Sequence, residues 1–481
     1  MDLTALYASL SPTHAVISPC NLWIASLSRS GHVLIRNIET LELQHVFLLN
    51  PDFVQKATWL FWITRRDSLE TTQICVASLD KAFVLDFRQE YFYATIDCNR
   101  DHVKRIECSP LGQLLFFSEI HNKVTIWTLE SKKGFVVSHP KGDIDQAVAF
   151  HPYSNLCSML IRKFGSDFLN FYQTSLDGTW NLERNYKLPT IDASSVSWSP
   201  NGQWLVVQDV TLNTVIHIFS DPGIFLFSYK VEDDLQLGFS KTQWSPDSSL
   251  LALCSLQNST IFILDTQTFS PTFQLQHNFD QPFALNCWQE DLSSEYKLTY
   301  QRAPWPTAMR TLNEHERCEV FFNADNSFVA SFTLQQKNVV WIWNLQSQLL
   351  DTILIQQQPV EHLSWHPTSP HCLMIQTKHA KPRIGQEMQS ILNCSIYFWS
   401  YKWNEPRVIT IPKSDFFIQK AQWLHAAHHL HSPTVLISAK DAYIIAYLLE
   451  SEEEMSSQLV LSQGSLNEEL ETTQTIHIPA K

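Results

Sequence analysis

The chain has 481 residues, is 44% hydrophobic and carries a formal net charge of −14, a balance that excludes a general nucleic-acid or anionic-membrane binder. Its length suits two or three ordinary domains or one large repeat architecture. Sixteen Trp and 29 Phe against 11 Gly, with Val, Ile, Thr and aromatics in short runs, favour strands over long amphipathic helices.

The opening residues, MDLTALYASLSP, hold an early Asp and no basic stretch, so they do not read as a secretion signal. No apolar run reaches the length of a membrane span. The ten cysteines form no C-x-x-C pair and sit mostly in apolar runs such as Leu253-Cys254-Ser255. They read as reduced thiols of an intracellular protein. The expected location is the cytoplasm or nucleus, or a cytoskeletal structure.

From Ser18 onward one pattern recurs: an apolar run, a Pro-centred turn and a second apolar run. The matches are SPCNLWIAS from Ser18, a degenerate TWLFWITRRDS from Thr58, CSPLGQLLFFS from Cys108, FHPYSNLCSML from Phe150 and WSPNGQWLVVQ from Trp198. WSPDSSLLALC from Trp244, FNADNSFVASF from Phe322, WHPTSPHCLMI from Trp365 and an irregular WLHAAHHLHSPTVLIS from Trp423 complete the series. The turn positions 19, 61, 110, 152, 200, 246, 324, 367 and 425 lie 42 to 49 residues apart, with two longer steps of 78 and 58. A third apolar run follows each match at a similar offset, from VLIRNI at Val33 through VTIWTL at Val124 and VVWIWNL at Val339 to YIIAYLL at Tyr443.

Nine such cassettes of roughly 46 residues, each with room for a fourth strand, match the blade of a WD-repeat β-propeller. The spacing carries this match better than the signature does. No unit has both Gly-His and Trp-Asp, and Leu264-Asp265-Thr266 and Trp343-Asn344-Leu345 are the nearest echoes. In Ser199-Pro200-Asn201-Gly202, Pro presets φ at the second turn position and Gly closes a type I turn. Val196 and Trp198 fall on one face of the preceding strand. The expected fold is all-β, a single nine-bladed WD-repeat ring over residues 1–449. A seven-bladed ring with two extra blades, or two propellers, are the alternatives.

Function is sought where the pattern breaks. An insert at about 280–315, ALNCWQEDLSSEYKLTYQRAPWPTAMRTLNEHE from Ala284, holds two strand-like runs around a polar turn. It reads either as an elongated fourth strand with a surface hairpin or as a docking element for a partner. Trp288, Arg302, Trp305 and Arg310 are its candidate partner-binding residues, because Trp and Arg anchor interface hot spots. Lys378, Lys381 and Arg383 make a small basic loop, either solvated or a contact for an acidic segment. His425, His428, His429 and His431 have zinc-like spacing but no Cys or carboxylate beside them, so no metal site is assigned. Residues 450–481, with seven acids against one lysine, read as a disordered tail. There is no phosphate-binding glycine loop, nucleophile elbow or H-E-x-x-H, and no catalytic or cofactor-binding residue is assigned. The expectation is a non-enzyme.

Two stretches resemble a narrower family. NVVWIWNLQSQLLDTILIQQQPVEHLSWHP from Asn338 and SHPKGDIDQAVAFHP from Ser138 are similar to the WRAP-type WD-repeat family of centrosomes and spindle poles. The resemblance spans residues 10–449, including nine cassettes and the long insertion between the sixth and seventh; the irregular ninth cassette and the acidic tail depart from it. It implies a scaffold at the centrosome, or at the spindle pole body in fungi. Its implied partners are a coiled-coil microtubule-anchoring protein and a minus-end-directed kinesin-fourteen motor, with which it tethers microtubule minus ends and supports the mitotic spindle. It implies no nucleic acid, membrane or small-molecule ligand. A translation-initiation or RNA-linked propeller is the alternative, by analogy of fold.

Overall fold

The computed structural model describes residues 2–66, 72–88, 91–98, 102–141, 146–210, 215–221, 223–230, 238–256, 260–277, 286–292, 297–304, 318–334, 336–379, 387–413, 415–424, 434–447 and 476–477. Among these, strands dominate, and the helices Pro51–Val54 and Glu387–Asn393 are short. The strands assemble into nine antiparallel-cored sheets, one for each cassette. By packing, the chain divides into two units: Met1–Asp143, Gln173–Asn181 and Ile418–Lys481 form one, and Ile144–Tyr172 and Leu182–Phe417 the other.

In the first unit, Ala15–Ile17, Trp23–Leu27, His32–Asn37 and Leu43–Leu48 pair in sequence order, and Ile476–His477 adds in parallel to the last of them. The next two sheets are Trp59–Trp62 to Tyr91–Asp97 and Val103–Cys108 to Lys133–Ser138. The irregular ninth cassette contributes only Lys420–Leu424, Thr434–Ser438 and Ala442–Tyr447. Its outer strand comes from the other end of the chain: Asp2–Leu3 and Tyr7–Ala8 both pair antiparallel with Ala442–Tyr447. Between those two pieces, Thr4 donates its backbone N–H to the Ile445 carbonyl, while its hydroxyl accepts the Ile445 N–H, both at 3.0 Å.

The second unit holds the five sheets that run from Val148–Phe150 to Arg407–Thr410. Four have four strands, and the seventh, built on Cys318–Phe322, Phe328–Thr333, Val339–Asn344 and Leu349–Ile355, has six. The inner strands are buried on both faces: Leu250–Ser255 and Val339–Asn344 each have five buried residues of six. Their side chains therefore fill clusters shared by consecutive blades, such as Leu160, Phe171, Trp198, Leu205 and Phe219 between the fourth and fifth. Strands buried on both faces need apolar residues without strict alternation, which is why the sequence shows continuous runs such as LLALC.

In seven blades the turn after the first strand is held by the residue before the proline column. Ser18, Ser109, Ser199 and Ser245 are each at most 1% exposed. Their hydroxyls accept the backbone N–H of Trp23, Gln113, Trp204 and Leu250 at 2.9–3.0 Å. Asn323 serves Phe328 in the same way, and at His151 and His366 the ring Nδ1 accepts turn N–H groups instead. The fourth turn residue is left-handed in five blades, as Asn21, Gly112, Gly202, Ser248 and Asn326. At Gly202, φ is +73° and a Cβ would stand 2.5 Å from His151 Nε2. Both conformation and space reserve that position for glycine.

Tryptophans at the ends of first strands tie four of the blades to their predecessors. The indole N–H of Trp198 donates to Ser158 Oγ at 3.1 Å, that of Trp244 to Ser197 Oγ at 3.2 Å and that of Trp365 to the Phe321 carbonyl at 2.9 Å. In the first unit Trp62 donates to the Val16 carbonyl at 3.1 Å. Trp198 is 8% exposed and meets the His151 ring edge-on at 4.8 Å. Trp198→Ala is expected to cost ~3–5 kcal/mol, read as a lower denaturation midpoint in urea. A midpoint equal to the parent's would contradict this role.

Candidate docking site at the inserted hairpin

The strand-like runs of the insert form a hairpin, Asn286–Leu292 with Leu298–Arg302. It is not an extension of the sixth blade, whose fourth strand is Pro271–Gln276. Instead Asn286–Leu292 lies parallel to Leu349–Ile355, with Trp288 opposite Leu354, and widens the seventh blade to six strands. Period-two alternation explains the attachment. Trp288, Glu290, Leu298 and Tyr300 turn inward and are buried, whereas Gln289, Asp291 and Gln301 are exposed. The inward row joins the cluster of Phe328, Leu354, Trp365 and Trp399 shared with the eighth blade.

A buried polar clasp holds the hairpin down. Glu290 is 2% exposed; its Oε2 accepts the Gln357 backbone N–H at 2.7 Å, and its Oε1 accepts the Tyr397 hydroxyl at 2.7 Å. Tyr300, opposite Glu290 in the hairpin, has its hydroxyl bonded by the Gln356 side-chain amide. Burial raises the Glu290 carboxyl above its ordinary value, the two hydrogen bonds offsetting only part of the shift, and pushes the Tyr300 and Tyr397 hydroxyls well up. Both Glu290 oxygens and both tyrosine hydroxyls are paired in the clasp, while Gln356 Oε1 is buried without a partner among the described residues. Pairing of buried groups fixes one arrangement because leaving a member unpaired is costly.

The structure places the sequence candidates unequally. Trp288 is 8% exposed and is part of the core, so its substitution tests packing before it tests binding. Arg302 is exposed, with its guanidinium carbon 5.3 Å from the centre of the Trp288 ring. Trp305 and Arg310 lie outside the described residues, as do Lys381, Arg383 and the four-histidine cluster; Lys378 is exposed. Among the described residues no group of three His, Cys, Asp or Glu could hold a metal ion, and no helix is long and apolar enough to cross a membrane. Sequence reading missed Glu290, Tyr300, Gln356 and Tyr397. Their signal was faint: a Glu and a Tyr at inward positions of two short runs, with their partners more than 50 residues away.

Nine sheets of this pattern, in which the chain's own beginning completes the last, define a β-propeller of nine blades. The fold matches a solved eukaryotic initiation factor with a TM-score of 0.55 at 10% identity, covering 85% of this chain and 91% of that one; this likeness is one of fold. No protein-family model matches the chain. It is 43% identical over 492 residues, 100% of each chain, to a Schizosaccharomyces pombe protein, "Uncharacterized WD repeat-containing protein C32H8.09". It is 24% identical over 468 residues to the mouse "WD repeat-containing protein WRAP73", covering 90% of this chain and 92% of that one. The chain belongs to the WD repeat-containing proteins, whose propellers act in protein–protein interaction, and within them it is WRAP-like.

Glu290→Leu removes the acceptor for two buried donors and is expected to cost about 2–4 kcal/mol, measured by urea denaturation. Glu290→Gln adds a pH signature. A raised carboxyl binds its proton more tightly in the folded state, so its contribution is fully present below the ordinary value of 4.5 and is lost as pH rises through the shifted one. The stability of the Gln variant relative to the parent is therefore expected to improve as pH rises above 4.5. A difference independent of pH would show that Glu290 ionises in the fold as it does in water.

Proposed function

We propose that this protein is a non-enzymatic scaffold of the spindle pole body or centrosome. It works with a coiled-coil microtubule-anchoring protein and a minus-end-directed kinesin-fourteen motor to hold microtubule minus ends and organise the mitotic spindle. The observation that carries the reading is the likeness to the WRAP73 protein across 90% of this chain. The stretches from Ser138 and Asn338 that resemble the WRAP-type family support it. The propeller suits the role physically, since a rigid stack of blades presents many loops on a stable frame. The inserted hairpin adds partner-facing surface, for which Arg302 and, further along the sequence, Trp305 and Arg310 are the proposed anchors, while buried Trp288 supports Arg302 from below.

The test is a fluorescent tag on the protein in dividing cells, with affinity purification from mitotic extract. Foci at the poles and recovery of a coiled-coil protein with a kinesin are expected. A uniform signal through the cell cycle, or co-sedimentation with ribosomal subunits that high salt abolishes, would overturn the reading in favour of the translation alternative. Arg302→Ala is expected to weaken recovery of the coiled-coil protein several-fold, about 1–2 kcal/mol, while the melting temperature stays at the parent's value.

A further inference from the structure

A cavity of about 140 Å³ lies within the second unit, where the start of the inserted hairpin, the outer strand of the seventh blade and the turn after Ser395–Ser400 meet. Its walls include Trp288, Trp399, Tyr401 and Trp403, with Asp351 and Glu405 as its carboxylates. Trp399 is buried at 4% exposure, packed on Phe328 and Trp365, so its ring is fixed. Tyr401 is 47% exposed and stacks on Phe328 at 5.3 Å, and Trp403 is half-buried. The turn is held by the Trp403 N–H on the Ser400 carbonyl at 3.1 Å and the Lys402 N–H on Ser400 Oγ at 3.2 Å.

We propose that this cavity is a binding site for a single arginine side chain presented by a partner protein. Three observations select that occupant. The volume suits one long side chain, being well below the roughly 300 Å³ at which small-molecule sites begin. Aromatic rings attract cations, and two of the rings that border the cavity already hold a guanidinium. Arg302 stands 5.3 Å from the Trp288 centre and Arg407 4.2 Å from that of Trp403, and neither arginine lines the cavity. The third is charge. Asp351 accepts the hydroxyl of the adjacent Thr352 at 2.7 Å, and neither it nor Glu405 pairs with a cation among the described residues. Burial raises the Asp351 carboxyl, a cost that an incoming guanidinium offsets with a fork of donors matched to a carboxylate. The chain's net charge of −14 steers basic segments towards it.

The larger cleft of about 460 Å³ in the first unit, lined by Val16–Pro19, Asn21, Phe61–Trp62 and Gln422–Trp423, has no titratable side chain in its lining and so names no ligand. The arginine site rests on the interaction role proposed above but not on location at the spindle pole. Peptide binding by a protein that never reaches the pole would leave it standing.

The experiment uses the full chain and three fluorescein-labelled peptides of Gly and Ser around one central residue: arginine, lysine or the neutral isostere citrulline. Fluorescence anisotropy at low salt is expected to show saturable binding of the arginine peptide, with lysine weaker and citrulline weaker by about tenfold or more. Asp351→Asn with Glu405→Gln is expected to lose about tenfold, whereas Glu39→Gln with Glu42→Gln, two exposed acids of the first blade, stays within about twofold. Absence of saturable binding, equal affinity for arginine and citrulline, or an equal loss in both double variants would overturn the proposal. Trp403→Ala and Glu405→Gln alone, on the exposed turn, give the same reading should Asp351→Asn not fold.

Discussion

Every blade of this protein depends on inner strands that are buried on both faces, which no blade can achieve by itself. Each sheet needs a neighbour at a fixed height and angle, and indole hydrogen bonds such as Trp198 to Ser158 and Trp244 to Ser197 set that register. A tryptophan suits the task because it buries a large ring and still satisfies its one donor. The serine hydroxyls of Ser18, Ser109, Ser199 and Ser245 fix the turns beside these rings. Turn geometry and blade packing are thus one constraint, repeated with substitutions such as His151 and Asn323.

That repetition makes the departures informative. The seventh blade accepts two extra strands on its outer edge, the first parallel to Leu349–Ile355 and the second antiparallel to the first, which caps Leu349–Ile355 with a hairpin instead of leaving it open. Exposed edges invite unwanted pairing, and the hairpin both closes this one and moves the accessible surface outward. Its inward row would be unstable on a free hairpin, since Glu290 and Tyr300 find partners only on Gln356, Gln357 and Tyr397 of the seventh and eighth blades. A partner bound here therefore reads two blades at once. The cavity bounded by Trp288, Asp351 and Trp403 is a consequence of the same junction.

Much of the fold was legible because its rules are local. Period-two runs, Ser-Pro turns and a spacing in the forties give nine cassettes without knowledge of any contact. The degenerate stretch from Thr58 still forms Trp59–Trp62, because Leu60 and Trp62 alternate inward. The left-handed turn position could be read at Gly112 and Gly202, but not at Ser248, where φ is 64°. The completion of the ninth blade by Asp2–Leu3 and Tyr7–Ala8 depends on pairing across the whole chain, and short alternating runs carry no mark of their partner. The insert shows the same limit. Its two strands were legible, yet their attachment to Leu349–Ile355 rests on burial and on hydrogen bonds to distant residues. Trp288 looked like an exposed anchor because large aromatics serve both cores and interfaces, and only its 8% exposure separates the two.

The insert belongs to the seventh blade as structure and is not a surface loop. Amide hydrogen exchange of the full chain, followed by mass spectrometry, tests it directly. If the account holds, Asn286–Leu292 exchanges as slowly as Leu349–Ile355, because its amides sit in a shared ladder. Rapid exchange of Asn286–Leu292 beside a protected Leu349–Ile355 would contradict it.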